Sequence, residues 1–242
     1  MTNDELFAWV MHRFSEVFED HAILKGGMAL RLLDSPRSTV DIDYVFVPFE
    51  SKKDIAAKIE SVLRALDGAV VKVSVHSTMV RAELRHGVGA ILVEASVMMS
   101  CSSIAMATAA LARTVGRPSQ IVRIMEPAVA LAHKIAAWNE RRLLRDLYDA
   151  YFFLARAKVT LHVPTLDARL GNVQSRLPAL RRTKTMTRDA FADALASAIE
   201  SLNDERIRNE LGPLLPPEEL AGLAERMKVA LSRLEENLRS AR

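Results

Sequence analysis

The stretch from Leu24 to Tyr44 constrains this chain more than any other. Gly26-Gly27 opens the helix-forming run Met28 to Leu33, and Asp34-Ser35-Pro36-Arg37-Ser38 then reads as a turn by its Asp, Ser and Pro. The strand Val40 to Val47 follows and stops at Pro48. Side chains alternate across a strand, so Asp41 and Asp43 share one face while Ile42 and Tyr44 take the other. Two carboxylates on one face, near a helix opened by glycines, suggest a divalent metal beside a phosphate.

The rest of the chain divides by the period of its apolar residues. Leu6, Phe7, Val10, Met11, Phe14, Val17 and Phe18 recur at helical spacing, as do Ile55, Ile59, Val62, Leu63 and Leu66. Val70 to Val75, Met79 to Leu84 and Ala90 to Met98 read as strands, the last two separated by Gly87-Val88-Gly89. After Ser100-Cys101-Ser102-Ser103 the pattern becomes irregular, and Ile121 to Ile124 suits one last short strand. Beyond Glu126-Pro127 almost everything is helical: Ala128 to Ala157 as one helix or two, Arg188 to Leu202, and Glu218 to Leu238, with Pro213, Pro216 and Pro217 separating the last pair. The expected fold is α+β. A mixed sheet with flanking helices fills residues 1–120, and a helical domain fills 121–242. Met98-Met99 and Phe152-Phe153 read as core, and core packing is also the first expectation for Trp138, Tyr148 and Tyr151.

Composition excludes several classes. Half of the residues are apolar, enough for a real core. The apolar stretch Ile104 to Ala112 is far too short to span a bilayer, and the polar, acidic start Met1-Thr2-Asn3-Asp4-Glu5 shows no signal peptide. Cys101 is the single cysteine, which rules out an internal disulfide and a cysteine-built zinc site. A cytoplasmic protein with no membrane partner is expected. The net charge of +3 is mild but uneven. Arg169, Arg176, Arg181, Arg182, Lys184 and Arg188 fall between Ala168 and Arg188 with no acid among them, either a nucleic-acid footprint or a solvated surface.

Chemistry at a phosphate needs charge neutralisation, a backbone cradle and a cation more than covalent help. Asp41 and Asp43 suit the metals, and Gly26-Gly27 suits the cradle because glycine lets backbone approach a ligand closely. Glu94 is the candidate third acid, since it interrupts the apolar run Ile91 to Val97. The alternative for Glu94 is a half-wet face of an edge strand. The histidines show no ligand spacing.

Lys25-Gly26-Gly27-Met28-Ala29-Leu30, then Arg37-Ser38-Thr39-Val40-Asp41-Ile42-Asp43, resemble the first two motifs of the AbiEii/AbiGii toxin family, K-G-G-[TS]-x-L and R-x-S-x-D-I-D. Those proteins are nucleotidyltransferases of the DNA polymerase beta type. Met28 stands where the family has a small hydroxyl residue, and Thr39 stands for its serine. Lys134 to Arg141 and then Arg145-Asp146-Leu147-Tyr148-Asp149 are similar to the late motif K-h-x-A-h-x-x-R…R-D-x-x-D. The resemblance covers about residues 22–150.

The resemblance implies a nucleotidyltransferase-type sheet domain whose cleft is completed by the helical part. It implies Mg²⁺ or Mn²⁺ on Asp41, Asp43 and Glu94, with Lys134 and Asp146 also catalytic. Lys25, Gly26, Gly27, Thr39, Lys134, Arg141, Arg145 and Asp149 would bind the NTP. The implied reaction moves NMP from an NTP to RNA, foremost the tRNA 3′ end, as the toxin of a toxin–antitoxin pair with a cognate antitoxin. The basic stretch 169–188 would grip the RNA. A small-molecule or protein acceptor, or an RNA-binding protein whose site has decayed, are the alternatives.

Overall fold

The computed structural model describes residues 1–240. Thr2 starts α1 (Asn3–Phe18) through a reciprocal cap: its hydroxyl accepts from the Glu5 amide at 3.3 Å, and the Glu5 carboxylate accepts from the Thr2 amide at 2.7 Å. The helix buries Leu6, Phe7, Val10, Met11, Phe14 and Phe18, and α3 (Lys53–Arg64) buries Ile55, Ile59, Val62 and Leu63. Both stripes pack on one face of a sheet.

That sheet has seven strands: β1 (Ala22–Lys25), β2 (Asp41–Phe46), β3 (Val70–Val75), β4 (Val80–His86), β5 (Gly89–Val97), β6 (Ser103–Ala107) and β7 (Ile121–Met125), in the order β3-β4-β5-β2-β1-β7-β6. The pairs β2–β5 and β1–β7 are parallel and the others antiparallel, so the sheet is mixed, as the strand pattern predicts. Leu24, Ile42, Tyr44, Phe46, Val93 and Ala95 face the core. There the rings of Phe14 and Tyr44 stand 4.9 Å apart and those of Phe18 and Phe46 4.8 Å apart. The Tyr44 hydroxyl is enclosed without a hydrogen-bond partner among the described residues, and burial pushes its ionisation far above the ordinary phenol range. A short helix, α2 (Gly26–Leu32), joins β1 to the turn before β2.

Two local expectations are corrected. The irregular stretch after Ser100 contains β6 and the helix α4 (Ala109–Thr114). Its small residues carry little periodic signal, and β6 is an outer strand with its side chains largely in solvent. Met98 and Met99 are exposed rather than core, because they lie beyond the last residue of β5.

The chain divides into two compact units, one running from Met1 to Glu126 and one beginning at Pro127. β7 pairs with β1 and β6, so the sheet-bearing unit extends to Glu126. The second unit is helical: α5 (Pro127–Arg141), α6 (Leu144–Tyr151), a π-helical turn at Phe152–Arg156, α7 (Val163–Leu170), α8 (Arg188–Glu200), α9 (Asp204–Leu211), the single turn α10 (Pro217–Leu220) and α11 (Leu223–Ser240). Arg142, with φ of 57°, and the extended Leu143 break what the periodicity leaves open as one helix or two. Helix α9 escapes the apolar pattern because it buries only Ile207 and Leu211. Trp138, Tyr148 and Tyr151 are core residues, and the Trp138 ring meets Phe191 edge-on at 6.0 Å. No helix among the described residues is long and apolar enough to cross a membrane.

Candidate active site

The acids of the first unit sit on the sheet face opposite α1 and α3. Asp41 and Asp43 are both half-buried there, two residues apart on β2. The parallel register sets Glu94 of β5 beside Asp43, and Lys25 of β1 lies on its other side. Arg81 of β4 is opposite Glu94. One row across four strands therefore reads Lys25, Asp43, Glu94, Arg81, two neighbouring acids flanked by a cation on each side. β5 is an inner strand, so the half-wet Glu94 is not explained by an edge.

Short contacts fix the members of this row. Lys25 Nζ stands 3.7 Å from Asp43 Oδ1. Arg81 donates to Glu94 Oε1 from Nε at 3.0 Å and from Nη2 at 2.6 Å. The Thr39 hydroxyl donates to Asp41 Oδ1 at 2.6 Å, so the residue standing for the family serine steadies the first carboxylate.

The glycine pair is demanded by close approach. Gly26 has φ of +70°, and a Cβ there would lie 2.1 Å from Asp43 Oδ2. A Cβ on Gly27 would lie 2.7 Å from Thr39 Oγ1 and 2.9 Å from Arg37 Nη2. The start of α2 is thus pressed against the acid-bearing strand and its preceding turn. Met28 is wholly buried in the core, so position 28 presents no group to the open face.

Among the described residues no three His, Cys, Asp or Glu side chains converge on a point where a metal ion would sit. The donor chemistry of Asp41 and Asp43, hard carboxylate oxygens on a half-open face, fits Mg²⁺ or Mn²⁺. Glu94, by contrast, is engaged by Arg81.

In the second unit the late motif forms a buried ion network. Lys134 Nζ stands 2.6 Å from Asp149 Oδ2 and 4.0 Å from Asp146 Oδ1. Arg141 donates to both oxygens of Asp146 at 2.7 Å. Asp146 and Asp149 are fully buried, whereas Arg145 is exposed. The basic stretch is heterogeneous. Arg169 is tied to Glu140 at 2.6 Å and Arg188 to Asp167 at 3.0 Å. Arg176, Arg181, Arg182 and Lys184 are exposed.

Sequence reading missed Arg81 and Glu140. The hairpin joining β4 to β5 turns at Gly87-Val88, which sets residue 81 opposite 94 once both strands are recognised. Glu140 gave no such signal, because Arg169, the Gln174 amide and the Ser175 hydroxyl reach it from a distant part of the chain.

The family model of the nucleotidyl transferase AbiEii toxin, type IV toxin–antitoxin system, matches residues 9–233. The chain belongs to this family. It is a nucleotidyltransferase of the toxin–antitoxin class. Three solved structures share the fold at low identity. MenT4, a nucleotidyltransferase toxin from Mycobacterium tuberculosis, is 16% identical with a TM-score of 0.58, over 97% of this chain and 85% of that one. JHP933 from Helicobacter pylori is 12% identical with a TM-score of 0.56, over 98% and 92%. A putative nucleotidyltransferase from H. pylori is 13% identical with a TM-score of 0.53, over 99% and 96%. A search of curated protein sequences gives no match.

Proposed function

We propose that the protein transfers NMP from an NTP to an RNA acceptor, the 3′ end of tRNA, with Mg²⁺ or Mn²⁺, acting in the cytoplasm as the toxin opposed by a cognate antitoxin. The observation that carries this reading is the placement of Asp41 and Asp43 on one half-open face, against the start of α2 and beside Lys25. An acceptor hydroxyl oxygen attacks the α-phosphorus of the NTP and gives up its proton to one of the aspartates or to Glu94. The bond from that phosphorus to the bridging oxygen breaks, and pyrophosphate leaves with the bonding pair.

Asp41 and Asp43 would hold the ion, with Glu94 as the third acid. When bound, the ion neutralises charge on the phosphates. The chain's own groups do the rest. Thr39 keeps the Asp41 carboxylate aimed at the open face. Gly26 and Gly27 would let backbone approach the triphosphate, and Lys25 would add a positive charge beside it. By resemblance to the family's late motif, Lys134, paired with Asp149, would be a point cation for the triphosphate, and Arg141, paired with Asp146, a second one. Arg145 is exposed and available to the nucleotide. The RNA backbone is gripped chiefly by Arg176, Arg181, Arg182 and Lys184, since Arg169 and Arg188 already serve Glu140 and Asp167.

Incubation with each α-labelled NTP, Mg²⁺ and total tRNA tests the acceptor. Label on tRNA supports the reading. Label on the protein or on a small molecule moves the acceptor to another class. RNA retention without any transfer returns the protein to a binding role.

A further inference from the structure

Of the row Lys25, Asp43, Glu94, Arg81, only Arg81 has no part in the proposed reaction. Arg81 commits two nitrogens to a single oxygen of Glu94, at 3.0 and 2.6 Å. The Glu94 side chain is 17% exposed and that of Arg81 45%, so the acid is held from the solvent side by a cation with room to move. Glu94 and Asp43 are register neighbours, yet the three acids do not converge on a common point. A carboxylate beside two others is repelled unless a cation compensates it, and a guanidinium can do this in place of a metal.

From this geometry we infer that Arg81 is a positioning residue that holds Glu94 apart from the aspartate pair. The third carboxylate then joins the ion only when Arg81 releases it. The inference rests on the reading of Asp41 and Asp43 as ion ligands. It adds a competition for Glu94 between a guanidinium and the divalent ion. Arg81 touches neither substrate nor ion in this account. Its effect passes through Glu94.

The test is titration of the full chain with Mn²⁺ alone, following the free ion by electron paramagnetic resonance. The proteins are wild type, Arg81→Ala, Arg81→Gln, Glu94→Gln and the double variant Arg81→Ala/Glu94→Gln. Arg81→Gln keeps a long polar side chain on the strand, which guards against a simple folding defect. Freeing a carboxylate next to the pair should tighten Mn²⁺ binding about three- to tenfold in both Arg81 variants. In the Glu94→Gln background, removing Arg81 should have at least threefold less effect. An unchanged or weaker affinity in the Arg81 variants overturns the inference, and so does an equal gain in both backgrounds, which would be a general field effect. Asp43→Asn separates the two levels of the argument. If it leaves Mn²⁺ binding intact, the reading of the aspartates fails. If it abolishes binding while Arg81→Ala is silent, only the role of Arg81 falls.

Discussion

Gly26 and Asp43 are packed so closely that a single methyl group on Gly26 would stand 2.1 Å from a carboxylate oxygen of Asp43. The glycine also holds φ of +70°, a conformation that disfavours any side chain. Gly26→Ala should therefore displace the Asp43 carboxylate. The expected result is at least a hundredfold loss of nucleotidyl transfer with a stability loss of about 1–2 kcal/mol. Transfer rates and urea midpoints on the same preparations measure both, and near-normal activity would show that Asp43 has room to adjust.

Lys134 and Asp149 form a short ion pair in the late motif, 2.6 Å apart with the acid fully buried. Lys134→Ala takes the ammonium away from a buried carboxylate and should cost about 3 kcal/mol as well as activity. Adding Asp149→Asn removes the buried negative charge. The double variant should regain much of the stability and none of the activity, if Lys134 serves the triphosphate. Recovery of transfer along with stability would make the pair a structural brace.

Much of this site was legible in the chain itself. The alternation of Asp41, Ile42, Asp43 and Tyr44 gives the two faces of β2, because one residue's shift in a strand reverses every side chain. The order of strands around it was less accessible, since β2 pairs with β5 across about fifty residues of intervening chain. Glu94 stood out as an acid in an apolar run, but its partner Arg81 needed the hairpin register. The glycines read as a phosphate cradle; that Asp43, Thr39 and Arg37 also press against them depends on the fold. Local sequence cannot distinguish these uses of a glycine, because both require a missing Cβ.

Asp4 of α1 and Arg31 of α2 are joined by two 2.7 Å bonds, which fasten the short helix behind the glycine pair. The Arg31 guanidinium holds the Asp4 carboxyl below its ordinary range. A lowered folded pKa gives stability that is present above the unfolded value and lost as pH falls through the folded value. The pair is partly exposed, so the contribution is small, about 0.5 kcal/mol. Urea unfolding from pH 7 to pH 2.5 should show Asp4→Asn below wild type at neutral pH, with the two curves converging at the acid end. A constant gap across that range would assign the loss to something other than the charge.

The exposed cations Arg181 and Arg182 predict a salt-dependent grip on RNA. Each phosphate contact on a single strand contributes about 0.7 to the slope of log affinity against log salt. Arg181→Ala/Arg182→Ala should reduce that slope by about 1.4. Filter binding of tRNA between low and moderate salt measures it. An unchanged slope would remove the basic stretch from RNA contact.

The central claim is that Asp41 and Asp43 direct attack at the α-phosphorus of an NTP. It is tested most directly by supplying the same NTP labelled either at the α- or at the γ-phosphate, to wild type and to Asp43→Asn, with Mg²⁺ and total tRNA. The account predicts α-label on the RNA with wild type alone, and γ-label only in released pyrophosphate. Transfer of γ-label, or undiminished α-transfer by Asp43→Asn, would contradict it.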